Sequence, residues 1–527
     1  MTNKLTVKLL SLVLAIILLS GALFSCFDNP LLSDSTSSTT SRTQYTSTTK
    51  PADGNPDEWA EYPSDHKDID NDGYCDDCNI DVVETIDFYN FNDLHGKFED
   101  NDDNPGVDEL TTYIENSRET DEHVVLLSSG DMWQGGSASN GTHGRIITDW
   151  MNYLGFDAMT LGNHEFDWGQ DAIRMNVQMA EFPILAINIY DNATGERVDY
   201  CEPSVMIERG GAKIGVIGAI GDCHSSISSE MTNGIHFKVE DELTALVKAE
   251  SEKLREEGAD IIVYLIHDGT SYRNVRVSDY YDETLSRDGY IDVVFGGHTH
   301  SYYITTDRYG VPHLQGGGDN SKGMTHVELD LNFANGEIYI NATDYVQHSQ
   351  CANLDDAAIV QELLDKYWDE IGWMYEDLGY NAYYRSSDDI ANMVACLYYE
   401  TGVERWGDEY DIVLAGGSLN VRSPYELDLG NVQYGDLQAL LPFDNALYLC
   451  AVSGYTLKNQ FIYNDTYHKY YTISTSQIND NDTYYIIADS WTALYYYANC
   501  TVVEKYDDTT FARDLLAEYI KNGGWSK

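Results

Sequence analysis

Residues 291–295 form an apolar run broken only by Asp292, and the run ends in Gly296-Gly297-His298-Thr299-His300. A buried strand that ends in two glycines and two histidines builds a site at its C-terminal edge. The glycines let the backbone turn tightly, and the two imidazoles can then face one point. Imidazole nitrogens are common ligands for transition metals. Alone, the pentapeptide has a loop with two solvated histidines as its rival reading. Four further apolar runs carry similar clusters and decide between these readings. Residues 86–91 lead into Asn92-Asp93-Leu94-His95-Gly96, and residues 124–127 into Ser128-Ser129-Gly130-Asp131-Met132. Residues 158–161 lead into Gly162-Asn163-His164-Glu165-Phe166-Asp167, and residues 261–266 into His267-Asp268-Gly269.

Helical stretches such as 240–256 lie between these runs, and further apolar runs stand at 184–187 and 214–220. That alternation implies α/β layers, whose strand C-terminal ends form the ligand crevice. Hard oxygen donors mixed with imidazole nitrogens suit Zn²⁺, Mn²⁺, Fe or Co better than Ca²⁺, and a carboxylate placed between two ions can bridge them.

The succession Asp-x-His, Gly-Asp, Gly-Asn-His-Glu, a lone His and Gly-Gly-His-x-His resembles the calcineurin-like metallophosphatases. With the region that follows, the chain resembles their bacterial 5′-nucleotidase branch over roughly residues 85–527. The resemblance implies an N-terminal four-layer αββα metallophosphatase domain at 85–350, a bridging helix within 351–382, and a smaller C-terminal α/β substrate-binding domain at 383–527. It implies one divalent ion held by Asp93, His95 and His300 and a second held by Asn163, His267 and His298, with Asp131 bridging. His164, oriented by Asp167, is then a catalytic histidine rather than a ligand. The implied reaction is hydrolysis of small nucleotide phosphate esters by a metal-activated water. Diesters such as 2′,3′-cyclic nucleotides, or nucleotide sugars, are alternative substrates, and a non-catalytic surface binding protein is the alternative of another class.

In the C-terminal part the resemblance has departures. Where the family carries Asn-Gly-Gly-Gly-x-Arg, this chain has Ala415-Gly416-Gly417-Ser418-Leu419-Asn420. The arginine position falls on Asn420, and Arg422 two residues on offers the guanidinium that suits a phosphate or carboxylate. Phe443, in Leu441-Pro442-Phe443-Asp444-Asn445, and Trp491 match the two aromatics that stack on the nucleobase. The family's Gly-Gly-Asp-Gly-Tyr segment is replaced by Tyr495-Tyr496-Tyr497-Ala498.

Ahead of this, Lys4 and Lys8 flank the start of an apolar run at 9–19, and Leu23-Phe24-Ser25-Cys26 is similar to a bacterial lipobox. The run is short for a spanning helix. Residues 1–26 are therefore expected to be a lipoprotein signal peptide, with Cys26 lipidated and the protein extracytoplasmic, held to the membrane by its lipid alone. A plain cleaved signal is the alternative. Residues 27–64, which include Ser35-Thr36-Ser37-Ser38-Thr39-Thr40, read as a disordered Ser/Thr-rich linker.

Within 65–81, Asp68-x-Asp70-x-Asp72-Gly73 has the spacing of a calcium loop, with Asp76 a further oxygen donor. Asn79 stands where an EF-hand has its bidentate Glu, so this is not a standard EF-hand. A small zinc site or disulfide built on His66, Cys75 and Cys78, and a plain acidic linker, are the rivals. The chain has 88 Asp and Glu against 31 Lys and Arg, a net charge of −57, which repels polyphosphate and excludes duplex nucleic acid as a partner. A small anion binds only where metal ions or local arginines reverse the field. The nine cysteines, eight of them beyond Cys26, permit disulfides outside the cytoplasm.

Overall fold

Burial on alternate residues sorts the apolar runs into two faces. In β1 (Val83–Phe91), Ile86 and Phe88 join one core while Tyr89 and Phe91 join another, and β2 (Val124–Ser128) divides in the same way between Val125 and Leu127 and Val124 and Leu126. β1, β2, β3 (Ala158–Thr160) and β4 (Ile184–Leu185) pair in parallel in that order. A second parallel set is formed by β5 (Ala212–Ile220), β6 (Ile261–His267) and β7 (Val293–Gly296). The two sheets face each other across Ile86, Phe88, Leu127, Val216, Leu265 and Phe295. Complete burial of each such side chain contributes about 1.5–3 kcal/mol. The computed structural model describes residues 40–42, 66–77, 81–98, 106–121, 123–269, 283–317, 324–351, 354, 357–417, 430–441, 444–464, 468–496, 500–507 and 510–524.

Helices cover both outer faces. Leu110 and Ile114 of Val107–Thr120, and Ile147 and Trp150 of Arg145–Leu154, pack on the first sheet. Glu240–Glu256 covers the second sheet through Leu243, Val247 and Leu254. Three acidic residues in the first turn of that helix and Lys253 and Arg255 in its last complement the helix dipole. The result is an α/β fold of four layers, αββα, in which parallel strands deliver all their C-terminal ends to one edge.

In sequence, Asp355 to Tyr375 reads as one amphipathic helix; it is α-helical from Ala358 to Ile371 and then tightens into a 3₁₀ turn, Gly372–Tyr375. Beyond it, a five-stranded sheet is built from His468–Tyr471, Ile412–Gly417, Thr483–Asp489, Leu447–Ser453 and Thr501–Lys505, in that order. The helix Ser387–Trp406, opened by a Ser386–Asp389 capping box, packs Ile390, Val394 and Tyr398 against Leu449 and Ile487 of this sheet. The short helices Ser137–Thr142 and Tyr434–Leu440 meet where Ser137 Oγ donates to Gly435 O at 2.8 Å. Among the described residues no helix is long and apolar enough to cross a membrane.

Candidate metal centre and active site

The loops that leave the parallel strands are zipped to one another by backbone hydrogen bonds. The N–H groups of Asp93, His95 and Gly96, beyond β1, donate to Gly130 O (3.0 Å), Asp131 O (3.0 Å) and Met132 O (2.8 Å), beyond β2. The His298 N–H reaches both Asp93 carboxylate oxygens at 3.0 Å, and the His164 N–H donates to Asp131 Oδ1 at 2.8 Å. Four strand ends are thereby locked into one locus, and His267 Nδ1, 2.7 Å from Ser129 O, adds a fifth. Gly297 serves this locus by close approach and not by a left-handed turn: a Cβ there would lie 2.7 Å from His267 Nδ1.

The backbone is strained at the same place. Among the described residues other than glycine, positive φ occurs at Asp93 (51°), His95 (52°), Asp131 (55°), His298 (75°) and His300 (52°), and at Asn71, His143 and Glu240 elsewhere. Non-glycine residues seldom adopt this conformation, and it clusters at functional sites.

Two overlapping sets of donors result. Asp93, His95 and His300 bring one ligand atom each within 4.8 Å of one another, as do Asp93, Asp131 and His267. Asn163 Oδ1 sits 2.9 Å from His298 Nδ1 and 3.2 Å from His267 Nε2, and His267 Nε2 is 3.0 Å from Asp131 Oδ2. Asp131 Oδ2 also lies 3.9 Å from His95 Nε2, so this carboxylate faces both sets. Asp93, His95, Asp131, Asn163 and His267 are buried, His298 is partly buried and His300 is exposed.

The ring nitrogens fit a cation. His95 Nδ1 lies 2.9 Å from Gln134 O and His267 Nδ1 lies 2.7 Å from Ser129 O. Carbonyls only accept, so both Nδ1 atoms carry a proton, and Nε2 becomes the lone-pair side of each ring once it is neutral. With no ion bound, burial lowers His267 but the Asp131 carboxylate outweighs it and raises the ring to about 10. His95 Nε2 nevertheless faces His300 Nε2 at 2.9 Å, a separation that needs a proton or a cation between the two nitrogens. Among the described residues, the ion-pair partners of Asp93 and Asp131 are likewise histidines, not lysine or arginine.

The electrostatics agree. Burial would raise the Asp131 carboxyl, but His267, His164 and His95 outweigh it and hold Asp131 well below the usual carboxylate range. Burial raises Asp93, with a partial offset from His300 and His267. Burial, then the neighbouring His267, pushes His298 down to about 4.

His164 Nδ1 lies 2.8 Å from Asp167 Oδ2, and both side chains are about three-quarters buried. The His164 ring stands edge-on to His95, with centroids 5.1 Å apart. Trp491 is half-buried at the start of the π-helix Trp491–Tyr496. Asn420, Arg422, Phe443 and Cys26 lie outside the described residues, as do the expected signal segment and all of the linker but Thr40–Arg42. No disulfide links the described cysteines.

The acidic loop lies at the other end of β1. Asp68, Asp70 and Asp72 bring carboxylate oxygens within 4.8 Å of one another. Asp68 accepts from the Asp72 and Gly73 N–H groups at 3.1 Å and from Asn332 Nδ2 at 2.6 Å, and Asp76 accepts from the Ile69 N–H at 2.7 Å. The neighbouring Asp72 charge raises Asp70. Asn332 pairs with Val83, so the loop docks at the start of β1, the end away from Asp93.

Three residues of this centre were not singled out by their spacing. The Glu165 carboxylate, wholly buried, accepts from the N–H groups of Gly162 (2.6 Å), Met132 (2.8 Å), Asp131 (2.9 Å) and Trp133 (3.3 Å). Asn92 Nδ2 donates to Asp93 Oδ2 at 2.7 Å and fixes that side chain. Cys223 places its sulfur within 4.8 Å of a ring nitrogen of His267 and of His298.

The fold and these donor sets define a calcineurin-like phosphoesterase domain, and residues 86–302 match the model of the family described as calcineurin-like phosphoesterase. Such a domain implies bound divalent metal ions. The apyrase of Tabanus yao is 34% identical over 228 residues, 41% of this chain and 39% of that protein. The 5′-nucleotidase of Vibrio cholerae is 35% identical over 219 residues, 40% of this chain and 39% of that protein. The chain thus spans 39% of the length of each of these relatives. The crystal structure of a 5′-nucleotidase precursor from Thermus thermophilus shares the fold over 83% of this chain and 96% of its own, with a TM-score of 0.64 and 16% identity.

Proposed function

We propose that the chain is a metal-dependent phosphoester hydrolase of the 5′-nucleotidase type. In this reading Asp93, His95 and His300 hold one divalent ion, Asn163, His267 and His298 hold a second, and Asp131 lies between them. The observation that carries it is the convergence of these seven side chains from five strand ends, five of them at positive φ. When bound, the two ions supply Lewis acidity toward a water and neutralise phosphate oxygens. The donor set suits Zn²⁺, Mn²⁺, Fe or Co.

The chain's own residues do the rest. Gln134 O and Ser129 O fix the tautomers of His95 and His267, so that each ring presents Nε2. Asp167 accepts the Nδ1 proton of His164 and orients the ring, and its Nε2, when protonated, would donate to the departing ester oxygen or stabilise charge on the phosphate. Relatives named 5′-nucleotidase and apyrase support a nucleotide as the ester. Phe443 and Trp491 would stack on the base, and Arg422, near the Asn420 position, would clamp an anion. Residues 85–350, 351–382 and 383–527 would form the metal domain, bridge and substrate domain. A signal at 1–26 with Cys26 lipidated would hold the enzyme outside the cytoplasm, and Asp68, Asp70, Asp72 and Asp76 would bind Ca²⁺.

The test is phosphate release from nucleotides, cyclic nucleotides, nucleotide sugars and a simple aryl phosphate, with Mn²⁺, Zn²⁺, Mg²⁺ or Co²⁺ added to metal-free protein. Metal-dependent release is expected, fastest from 5′-nucleotides. No release from any ester with any metal would overturn the hydrolase, and release favouring a diester or a nucleotide sugar would move the substrate.

A further inference from the structure

We propose that Cys223 is a thiolate ligand of the second ion, beside His267 and His298, which gives that ion sulfur as well as nitrogen and oxygen donors. The proposal rests on the metal-centre reading above and adds to it a residue from a sixth strand end. β5 stops at Ile220, and the chain turns at once through Gly221-Asp222-Cys223. This brings Cys223 Sγ, buried, to 2.8 Å from His267 O, to which the thiol donates. The sulfur and a ring nitrogen of each of His267 and His298 all lie within 4.8 Å of one another. These are the two rings that converge on Asn163 Oδ1. With a metal–sulfur bond of about 2.3 Å and a metal–nitrogen bond of about 2.0–2.1 Å, tetrahedral donors sit about 3.6 Å apart. The 4.8 Å bound on these three atoms leaves at most about 1.2 Å to close to that spacing.

The backbone turn that carries the sulfur is fixed by the fold. The Asp268 carboxylate, next in sequence to His267, accepts from the Asp222 N–H at 2.7 Å and the Gly269 N–H at 2.9 Å, and the Gly221 N–H donates to His267 O at 3.1 Å. The turn after β5 is therefore stitched to the end of β6. Gly221 is required for the stitch, because a Cβ there would lie 2.1 Å from Asp268 Oδ2. A serine could make the same hydrogen bond to His267 O; what a thiol adds is a soft donor. On coordination the S–H bond breaks as the sulfur–metal bond forms, the proton leaves His267 O for solvent, and no electron is transferred. Sulfur shifts selectivity at this position from Mn²⁺ and Mg²⁺ toward Zn²⁺, Co²⁺ and Cd²⁺.

The experiment uses the full chain loaded with Co²⁺ and read by absorption. Wild type should show visible d–d bands together with an intense near-ultraviolet thiolate-to-cobalt band. Cys223→Ser should lose the near-ultraviolet band and keep the visible ones, and Cys75→Ser should keep both, which excludes cobalt bound at the N-terminal cysteine. Cd²⁺ affinity should fall by at least roughly 10–100-fold in Cys223→Ser, the loss that follows even from outer-shell changes, while Mn²⁺ affinity hardly moves. Wild type with visible bands and no near-ultraviolet band overturns the Cys223 assignment and leaves the metal centre standing, as does a band that survives Cys223→Ser. Wild type that takes up no cobalt overturns the metal-centre reading itself.

Discussion

Glu165→Gln takes the charge and one acceptor from a carboxylate that receives four backbone N–H groups. Gly162 and Asp131 donate to Oε2 at 2.6 and 2.9 Å, and Met132 and Trp133 donate to Oε1 at 2.8 and 3.3 Å. A glutamine has the same shape but a single oxygen. Whichever way its amide is turned, two of the four N–H groups face an NH₂ group. A buried donor left without an acceptor costs about 1–3 kcal/mol, so the pair costs roughly 2–6 kcal/mol. Whole proteins have about 5–15 kcal/mol to lose, so the loss is large even where the variant still folds. It falls on the loop that holds Asp131 at φ 55°, a conformation that persists only when its surroundings over-determine it. Two readouts follow in the metal-loaded protein: a lower urea midpoint at unchanged slope, and fewer metal ions retained after dialysis. Glu165→Asp keeps the charge and should fall between wild type and Glu165→Gln. If Glu165→Gln unfolds within about 0.5 kcal/mol of wild type, the range of an ordinary surface change, and holds its full metal content, Glu165 does not anchor this loop.

In metal-free protein, burial and the Asp131 charge push Glu165 up from 4.5 to about 7. A carboxyl raised on folding stabilises below its unfolded value and loses that contribution as pH rises through the folded one. The Glu165→Gln penalty in chelator should therefore shrink between pH 4.5 and about 7, and urea titrations showing a constant or growing penalty would contradict this. Deleting the Asp68–Asp76 loop should lower stability and leave kcat/KM nearly unchanged, because Asn332 holds Asp68 at the start of β1, nine residues or roughly 30 Å of strand from its C-terminal end. Gly435→Ala would set a Cβ 2.8 Å from Ser137 Oγ, so it should destabilise, and Ser137→Ala should recover part of the loss; a double-mutant cycle with no coupling would argue against this contact. Trp491→Ala should cost about 1–3 kcal/mol in kcat/KM for nucleotides and little for an aryl phosphate, and equal losses on both would make Trp491 a packing residue.

The layers were legible because the central strands are buried on both faces and read as largely apolar runs, with turn residues marking where they stop. The helix at 240–256 was readable to the residue, since its acidic first turn, its basic last turn and the spacing of Leu243, Val247 and Leu254 all agree. The loops carrying Asp93, Asp131, Asn163, His267 and His298 stood out because a polar group at the end of a buried strand is costly unless something binds it. Glu165 was overlooked because its partners are backbone amides, which leave no trace in side-chain spacing. Cys223 sits in Gly221-Asp222-Cys223-His224, outside the five motifs, and only the tertiary stitch through Asp268 brings it to His267. In the 355–375 stretch the apolar period runs on unbroken, and the change of winding at Gly372 has no counterpart in that period.

The positive-φ residues explain why the centre is made of these residue types. The left-handed conformation costs a typical L-residue about 1–2 kcal/mol, and Asn, Asp and His tolerate it best. Five such positions represent roughly 5–10 kcal/mol if nothing offsets them, comparable to the stability of a whole domain. Four of the five are held by hydrogen bonds before any ion arrives. The Asp93 and His95 N–H groups are taken by the next loop, the Asp131 N–H by Glu165, and the His298 N–H by the Asp93 carboxylate. The ordering needed to gather ligands is thus met by hydrogen bonds within the fold, and binding of a cation does not have to supply it. The same lock leaves carboxylates and imidazole lone pairs crowded with only protons between them. Ion binding then replaces those protons in a frame that is already set, which is why the loop anchors, Glu165 above all, should govern metal affinity as strongly as the ligands they hold.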